Sequence, residues 1–274
     1  SNVIGILVSD IEPFNAELLK GAARAIRGTG YDLVVFSDCG QREDQVGWER
    51  RSLARVSALT DGAILVTPSG IDVTSSAPIV AVDHNVRSET LPTVDSDNLS
   101  GAVTATRHLL DLGHRRIGFL AGRPDLESAH LREQGYRRAL DEGGIAYDAG
   151  LVRVGGYLPE TAREAARDLL AQEPRPTAIF AANDASAIET IAVARSLGLS
   201  VPDDLSVIGF DNVPESALCE PPLTTIEQPI QGMGEEAVRM LLGLIDDPTS
   251  RPAQVILPTR LVERASCKPF ADGA

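Results

Sequence analysis

Aromatic residues are scarce in this chain, at 4% of 274 positions with a single Trp. A large core must therefore be aliphatic, and a hydrophobic content of 43% is enough to build one. Cysteine is scarce too: Cys39, Cys219 and Cys267 are odd in number and far apart. That excludes a disulfide framework and a clustered metal site, and it suits a reducing compartment. His84, His108, His114 and His130 have no metal-ligand spacing either, so no metal is expected. Positive charge is in deficit, with a formal net charge of −14. Such a chain lacks the basic footprint needed to grip nucleic acid, and its acidic surface serves solubility. No apolar run nears the roughly 20 residues of a membrane span, and no signal-peptide pattern opens the chain. A cytoplasmic protein without a membrane partner is expected. Catalytic signatures are missing as well: no Walker loop, no Gly-x-Gly-x-x-Gly after a strand, no Gly-x-Ser-x-Gly, no His-Glu-x-x-His. The chain reads as a non-enzyme without a cofactor.

What is present is organised around Val207–Pro214 and its continuation Pro221–Pro229. Leu205 to Phe210 is a short apolar run that reads as a buried parallel strand. It delivers Asp211 at its C-terminal end, where open α/β sheets bind ligands. Glu220-Pro221-Pro222 cannot be helix interior, because each Pro lacks an N–H and restricts its predecessor. Leu223 to Glu227 resumes as an extended run, Gln228 ends it, and Pro229 opens a helix.

The rest of the chain reads as two similar βαβ series, and its length suits about two domains. Strands are expected at Val3–Val8, Tyr31–Phe36, Ala63–Val66 and Pro78–Val82, with helices from Phe14 to Ile26 and from Glu43 to Ala58. Thr93-Val94-Asp95 reads as an extended crossover. A helix over Leu99–Leu112 closes at Gly113, a C-cap glycine. Strands at Arg116–Ala121, Leu151–Val154 and Thr177–Ala181 then alternate with helices over Glu127–Asp141, Pro159–Ala171 and Asp184–Leu197. A clean apolar stripe from Ile230 to Ile245 marks a last helix. Short strands at Val255–Leu257 and Arg260–Glu263 end the chain. Alternation of this kind means parallel sheets covered by helices on both faces. Two such units create a ligand cleft between the C-terminal edges of their sheets.

Several motifs in order carry a resemblance: Ile4-Gly5, Leu112-Gly113-His114-Arg115-Arg116-Ile117, Gln134-Gly135-Tyr136, Pro176 to Asp184, and the stretch around Asp211. Over essentially its whole length the chain resembles the effector-binding core of the lactose-repressor (LacI/GalR) family of bacterial transcription regulators. The resemblance implies an α/β fold of two doubly wound parallel-sheet subdomains joined by a three-crossover hinge, like type I periplasmic binding proteins. It places residues 1–94 plus 230–256 in one subdomain and 95–229 plus 257–274 in the other. It implies a homodimer, and operator DNA contacted only through an N-terminal helix-turn-helix absent from this sequence. A solute-binding protein of a sugar transporter, with the same fold, is the alternative.

The resemblance also sorts the polar residues at strand ends. Taken singly, each is more often a cap or turn former. Positions matching Asp83, Arg132, Asn183, Asp211 and Gln228 face the effector in the family, and Arg132 stands at the family spacing before Tyr136. Arg offers donors and carboxylates offer acceptors, which together satisfy vicinal hydroxyls. Asp10 ends the first strand, and Phe14 is a stacking wall at the start of the helix after it. Tyr157 matches a family aromatic position near the ligand. The loop Asp10–Asn15 is one residue shorter than the family pattern, and Asn15 replaces a second aromatic. That favours a polar, sugar-like effector over a flat purine. His114-Arg115-Arg116 reads as a helix-to-strand turn with cations near a helix C-terminus. Ala54, Val56, Leu59, Ile64 and Val66 form an apolar excess that could serve association.

Overall fold

A computed structural model describes residues 1–39, 44–69, 77–85 and 91–271. The chain divides into two compact units, Ser1–Ser96 with Pro229–Pro258, and Asp97–Gln228 with Thr259–Ala274. It passes from one to the other three times. The sequence puts the crossings after Val94, Pro229 and Ile256, and the compact units meet after Ser96, Gln228 and Pro258. The shift at the first crossing has a clear cause: Asp95 and Ser96 pair with Ile256 and Leu257 inside the first sheet.

The first unit opens with β1 (Val3–Val8), α1 (Pro13–Ala25), β2 (Asp32–Ser37) and α2 (Gln45–Leu59). β3 (Gly62–Val66), β4 (Ile79–Val82) and β5 (Thr93–Ser96) follow. The second unit holds α3 (Asn98–Asp111), β6 (Ile117–Ala121), α4 (Glu127–Glu142), β7 (Val152–Val154) and α5 (Pro159–Leu170). It continues through β8 (Ala178–Ala181), α6 (Asp184–Ser196), β9 (Ser206–Asp211), α7 (Pro214–Leu218) and β10 (Thr224–Glu227). The chain then returns to the first unit for α8 (Ile230–Asp246) and β11 (Gln254–Leu257), and ends in the second with β12 (Arg260–Val262).

Each unit has one six-stranded sheet, in the orders β11-β5-β4-β3-β1-β2 and β12-β10-β9-β8-β6-β7. The first is parallel throughout. In the second, only the edge strand β12 runs antiparallel, against β10. Strand order reverses between β1 and β3 in one sheet and between β6 and β8 in the other. Loops at the C-terminal ends of those strands are the switch points where such sheets hold ligands.

Three expectations need correction. Thr93–Ser96 is a full sheet strand between β4 and β11 rather than a crossover. A short helix, Pro214–Leu218, precedes the Pro221-Pro222 turn. Val56 is completely buried under β1, and Ile64 and Val66 are core as well. Of the residues proposed for an association surface, only Ala54 and Leu59 are exposed. Glu43, the expected first residue of the second helix, lies outside the described residues; Asp44 caps that helix through the Gly47 N–H.

The core of the first unit is aliphatic, as composition requires, with Leu7, Val56, Ala63, Leu65 and Ala81 on one sheet face. The second unit concentrates aromatics instead: Phe119, Phe180, Phe210 and Tyr136 are fully buried in one cluster. Each such ring contributes about 1.5–3 kcal/mol by leaving water. The opposite sheet face packs Leu120, Ile179, Val207 and Leu223 against α5 and α6. His114 has a structural place. Its ring is buried and bonded to Thr177 Oγ1, Ser206 Oγ and the Lys268 carbonyl. Burial lowers its pKa and favours the neutral imidazole. Among the described residues no helix is long and apolar enough to cross a membrane.

Candidate functional site

In the second unit, the candidate site is built on Arg132, six residues into α4 and only 4% exposed. A buried guanidinium needs its donors satisfied. Nε donates to Asn98 Oδ1 at 2.9 Å, and Nη1 donates to the Ala182 carbonyl at 2.5 Å. Its Cζ lies 3.9 Å from the centroid of the Phe210 ring and 5.5 Å from that of Tyr157. Both are cation–π distances. The three polar anchors come from the start of α3, the end of β8 and, at 3.8 Å, the Asp211 carboxylate at the end of β9.

Asp211 and Gln228 face each other because β9 and β10 are paired in parallel. Gln228 Nε2 donates to Asp211 Oδ1 at 2.6 Å, and Gln228 N donates to the Asp211 carbonyl at 3.2 Å. Both residues are buried. Asp211 and Asn212 take φ values of +123° and +60°. Such backbone is costly for non-glycine residues and persists where the surroundings over-determine it, often at ligand sites. Asn212 is fastened by Glu227 Oε2 and Arg264 Nη2.

Tyr157 also has positive φ, +64°. Its ring lies over Gly122 at the end of β6; a Cβ there would come within 2.1 Å of Tyr157 Cζ. Glycine at 122 is what admits the ring. Asn183 is the N-cap of α6, its Oδ1 accepting the Ser186 N–H at 3.0 Å. It meets Arg132 only through the neighbouring Ala182 carbonyl.

The first unit holds the other four sequence candidates. Asp10 Oδ1 accepts the Ile11 N–H, and the Asp10 carbonyl accepts Asn15 Nδ2 at 2.8 Å. Asn15 is buried, and its Oδ1 has no hydrogen-bond partner among the described residues. Phe14, half-buried in the first turn of α1, donates its N–H to Glu12, the residue that caps α1. Asp83, after β4, has φ +51°, and its Oδ2 accepts Thr67 Oγ1 at 3.2 Å.

The structure thus brings Arg132, Asp211, Gln228 and Tyr157 into one contacting group. Asp10 joins Asn15, and Asp83 joins Thr67. Around these groups the structure adds Asn98 and Phe210, which contact Arg132, and Thr67, which contacts Asp83; no sequence pattern marked them. His84 Nδ1 stands 2.9 Å from Asp95 Oδ2.

Comparison with known proteins bears on what these groups serve. The model of the periplasmic-binding-protein-like domain family matches residues 106–267. The HTH-type transcriptional repressor CytR of Escherichia coli (strain K12) is 33% identical over 98% of this chain and 80% of its own length. The chain belongs to the LacI family of transcriptional regulators. It corresponds to the effector-binding core of these proteins. Its fold is similar to that of transcriptional regulator CelR in complex with cellobiose, with a TM-score of 0.86 and 30% identity over 97% of this chain and 84% of that one. A LacI family regulator from Enterococcus faecium with bound ribose matches with a TM-score of 0.85 and 28% identity, over 98% of this chain and all of that one. These relatives are regulators, so the LacI-family reading stands and that of a transporter's binding protein does not.

Proposed function

We propose that this LacI-family core senses an uncharged sugar or sugar derivative, and that Arg132, Asp211 and Gln228 hold the ligand's hydroxyls. The observation that carries the reading is the Arg132–Asp211–Gln228 group itself. It sets a planar cation, a carboxylate and a carboxamide side by side at the end of one sheet. A hydroxyl both donates and accepts, and this trio offers both functions. Two of the five Arg132 N–H groups go to Asn98 and Ala182, and the adjacent Asp211 carboxylate offsets its charge, which disfavours a phosphate. Sugars bound by the CelR and E. faecium relatives support the same class. Tyr157 supplies an apolar wall, and Asn183 a side-chain amide. The reading assigns Asp10, Phe14, Asn15 and Asp83 to further ligand contacts.

In this reading the protein is cytoplasmic and works as a homodimer. It reaches operator DNA through a helix-turn-helix headpiece preceding such a core. Val34 on the edge strand β2, on the side of the sheet that α2 covers, and Leu59 on α2 are exposed and support a self-associating face. A thermal-shift screen tests the ligand class, with neutral sugars including D-ribose and cellobiose set against purine bases. A neutral sugar is expected to raise the melting temperature. Stabilisation by a purine base with no response to any sugar would overturn the reading.

A further inference from the structure

Asp184 is the first residue of α6 and is wholly inaccessible to solvent. A carboxylate at such a position ordinarily serves the helix N–H groups. Here Asn183 does that work, and the Asp184 oxygens turn elsewhere. Oδ1 accepts the Thr225 hydroxyl on β10 at 2.5 Å. Oδ2 accepts the Val213 N–H, just past the left-handed Asp211-Asn212 pair, at 2.9 Å. Thr225 pairs with Gly209 across the β9–β10 ladder. A Cβ on Gly209 would lie 2.4 Å from Asp184 Oδ1, so that glycine is what lets the carboxyl reach over β9. One side chain therefore ties the segment carrying Asp211 to the segment carrying Gln228.

We propose that Asp184 is a positioning residue for effector binding, clamping the turn after β9 to β10 and thereby fixing the Asp211–Gln228 pair that meets the ligand. This rests on the reading of Asp211 and Gln228 as ligand contacts. The clamp holds in either protonation state. Ionised, the carboxylate accepts from both Thr225 and Val213. Protonated, it donates to Thr225 Oγ1 and still accepts from Val213. Burial raises the Asp184 pKa to about 7, so the two forms exchange near neutrality. The charged or titratable groups around it are Arg264, after β12, and Cys219, after α7, whose thiol pKa is raised. Glu227 on β10 is held by Arg260 and Asn212.

The test is the side-chain amide resonance of Gln228, followed by 15N NMR in the ligand-free protein from pH 6 to 8. In the wild type this resonance should sit away from a free glutamine amide and move with a midpoint near 7. Asp184→Asn preserves one acceptor and supplies a donor, so it should keep the wild-type shift at pH 6 and abolish the titration. Asp184→Ala, folded by circular dichroism, should lose the Asp211-bonded shift. If that variant does not fold, Thr225→Val removes one arm of the clamp and should move the same resonance part of the way. An unmoved Gln228 amide in folded Asp184→Ala, or in Thr225→Val, overturns the proposal. Calorimetry with D-ribose runs beside it: where the wild type binds, Asp184→Ala should bind at least tenfold more weakly and Asp184→Asn as tightly at pH 6. Failure of the wild type to bind D-ribose, or undiminished binding by Asp211→Ala, counts against the ligand reading and leaves the clamp to the NMR result.

Discussion

Replacing Arg132 by methionine keeps a long apolar stem in place and withdraws the guanidinium. The structure sets the expected cost. Two hydrogen bonds from a charged donor disappear, at 2.9 and 2.5 Å, and each is worth about 1.5–3 kcal/mol. The face of Phe210 loses a cation at 3.9 Å, a contact worth about 2 kcal/mol when desolvated. Against these losses stands the release of the guanidinium's own desolvation penalty, several kcal/mol for a buried ion. Asp211 keeps the Gln228 donor but loses its nearest cation. The net expectation is a loss of about 3–5 kcal/mol, the range for removing one member of a buried charged pair. Urea unfolding followed by circular dichroism measures it. Arg132→Lys retains charge but not the planar fork, and should recover less than half of the loss. A cost under about 1 kcal/mol for the methionine variant would mean instead that the guanidinium is well solvated and that these partners do not hold it.

Gly122→Ala should push Tyr157 off its seat and weaken sugar binding several-fold by calorimetry. His114 has a folded pKa below its ordinary 6.5, so its contribution is complete above that pH and is lost as pH falls. Urea midpoints between pH 7.5 and 5 should decline in the wild type and decline less in His114→Asn. Asp184 has the opposite sign: its folded pKa is raised from 3.8 to about 7, so its contribution is lost as pH rises through that window. Asp184→Asn should be more stable than the wild type at pH 8, by about a few kcal/mol, in the same titration. Leu59→Glu, on an exposed helix face, should give a folded monomer by sedimentation, whereas Val56→Glu should unfold the first unit.

The strands were legible because this chain writes them as unbroken apolar runs, such as Ile79–Val82 and Ala178–Ala181, with turn residues at their ends. Thr93–Ser96 escaped because it is short, mostly polar, and completed by β11 some 160 residues away. Pro214–Leu218 escaped because one helical turn beside three prolines has the composition of a loop. In the candidate site, Asp211 and Gln228 were expected from their places at strand ends and Arg132 from the family spacing, and the structure puts the three in contact. Phe210 carried no signal: it is one apolar residue in a buried strand, and only the reach of Arg132 from α4 to the end of β9 sets its ring under a guanidinium. Asp184 did leave a trace. Asn183 already supplied the cap of α6, so a second polar residue beside it had no local work left to do. Val56 misled because apolar excess on a helix does not reveal which turn faces the sheet.

The proposed role of Asp211 is to accept hydroxyl hydrogen bonds from a neutral sugar. Calorimetric titration of the wild type and Asp211→Ala with a sugar that stabilises the wild type tests it most directly. Losing a hydrogen bond to a charged group costs about 1.5–3 kcal/mol, or roughly a 10- to 150-fold weaker Kd. A fall of that size, with the fold intact by circular dichroism, is the predicted result. Equal affinity in the two proteins would remove Asp211 from the ligand site.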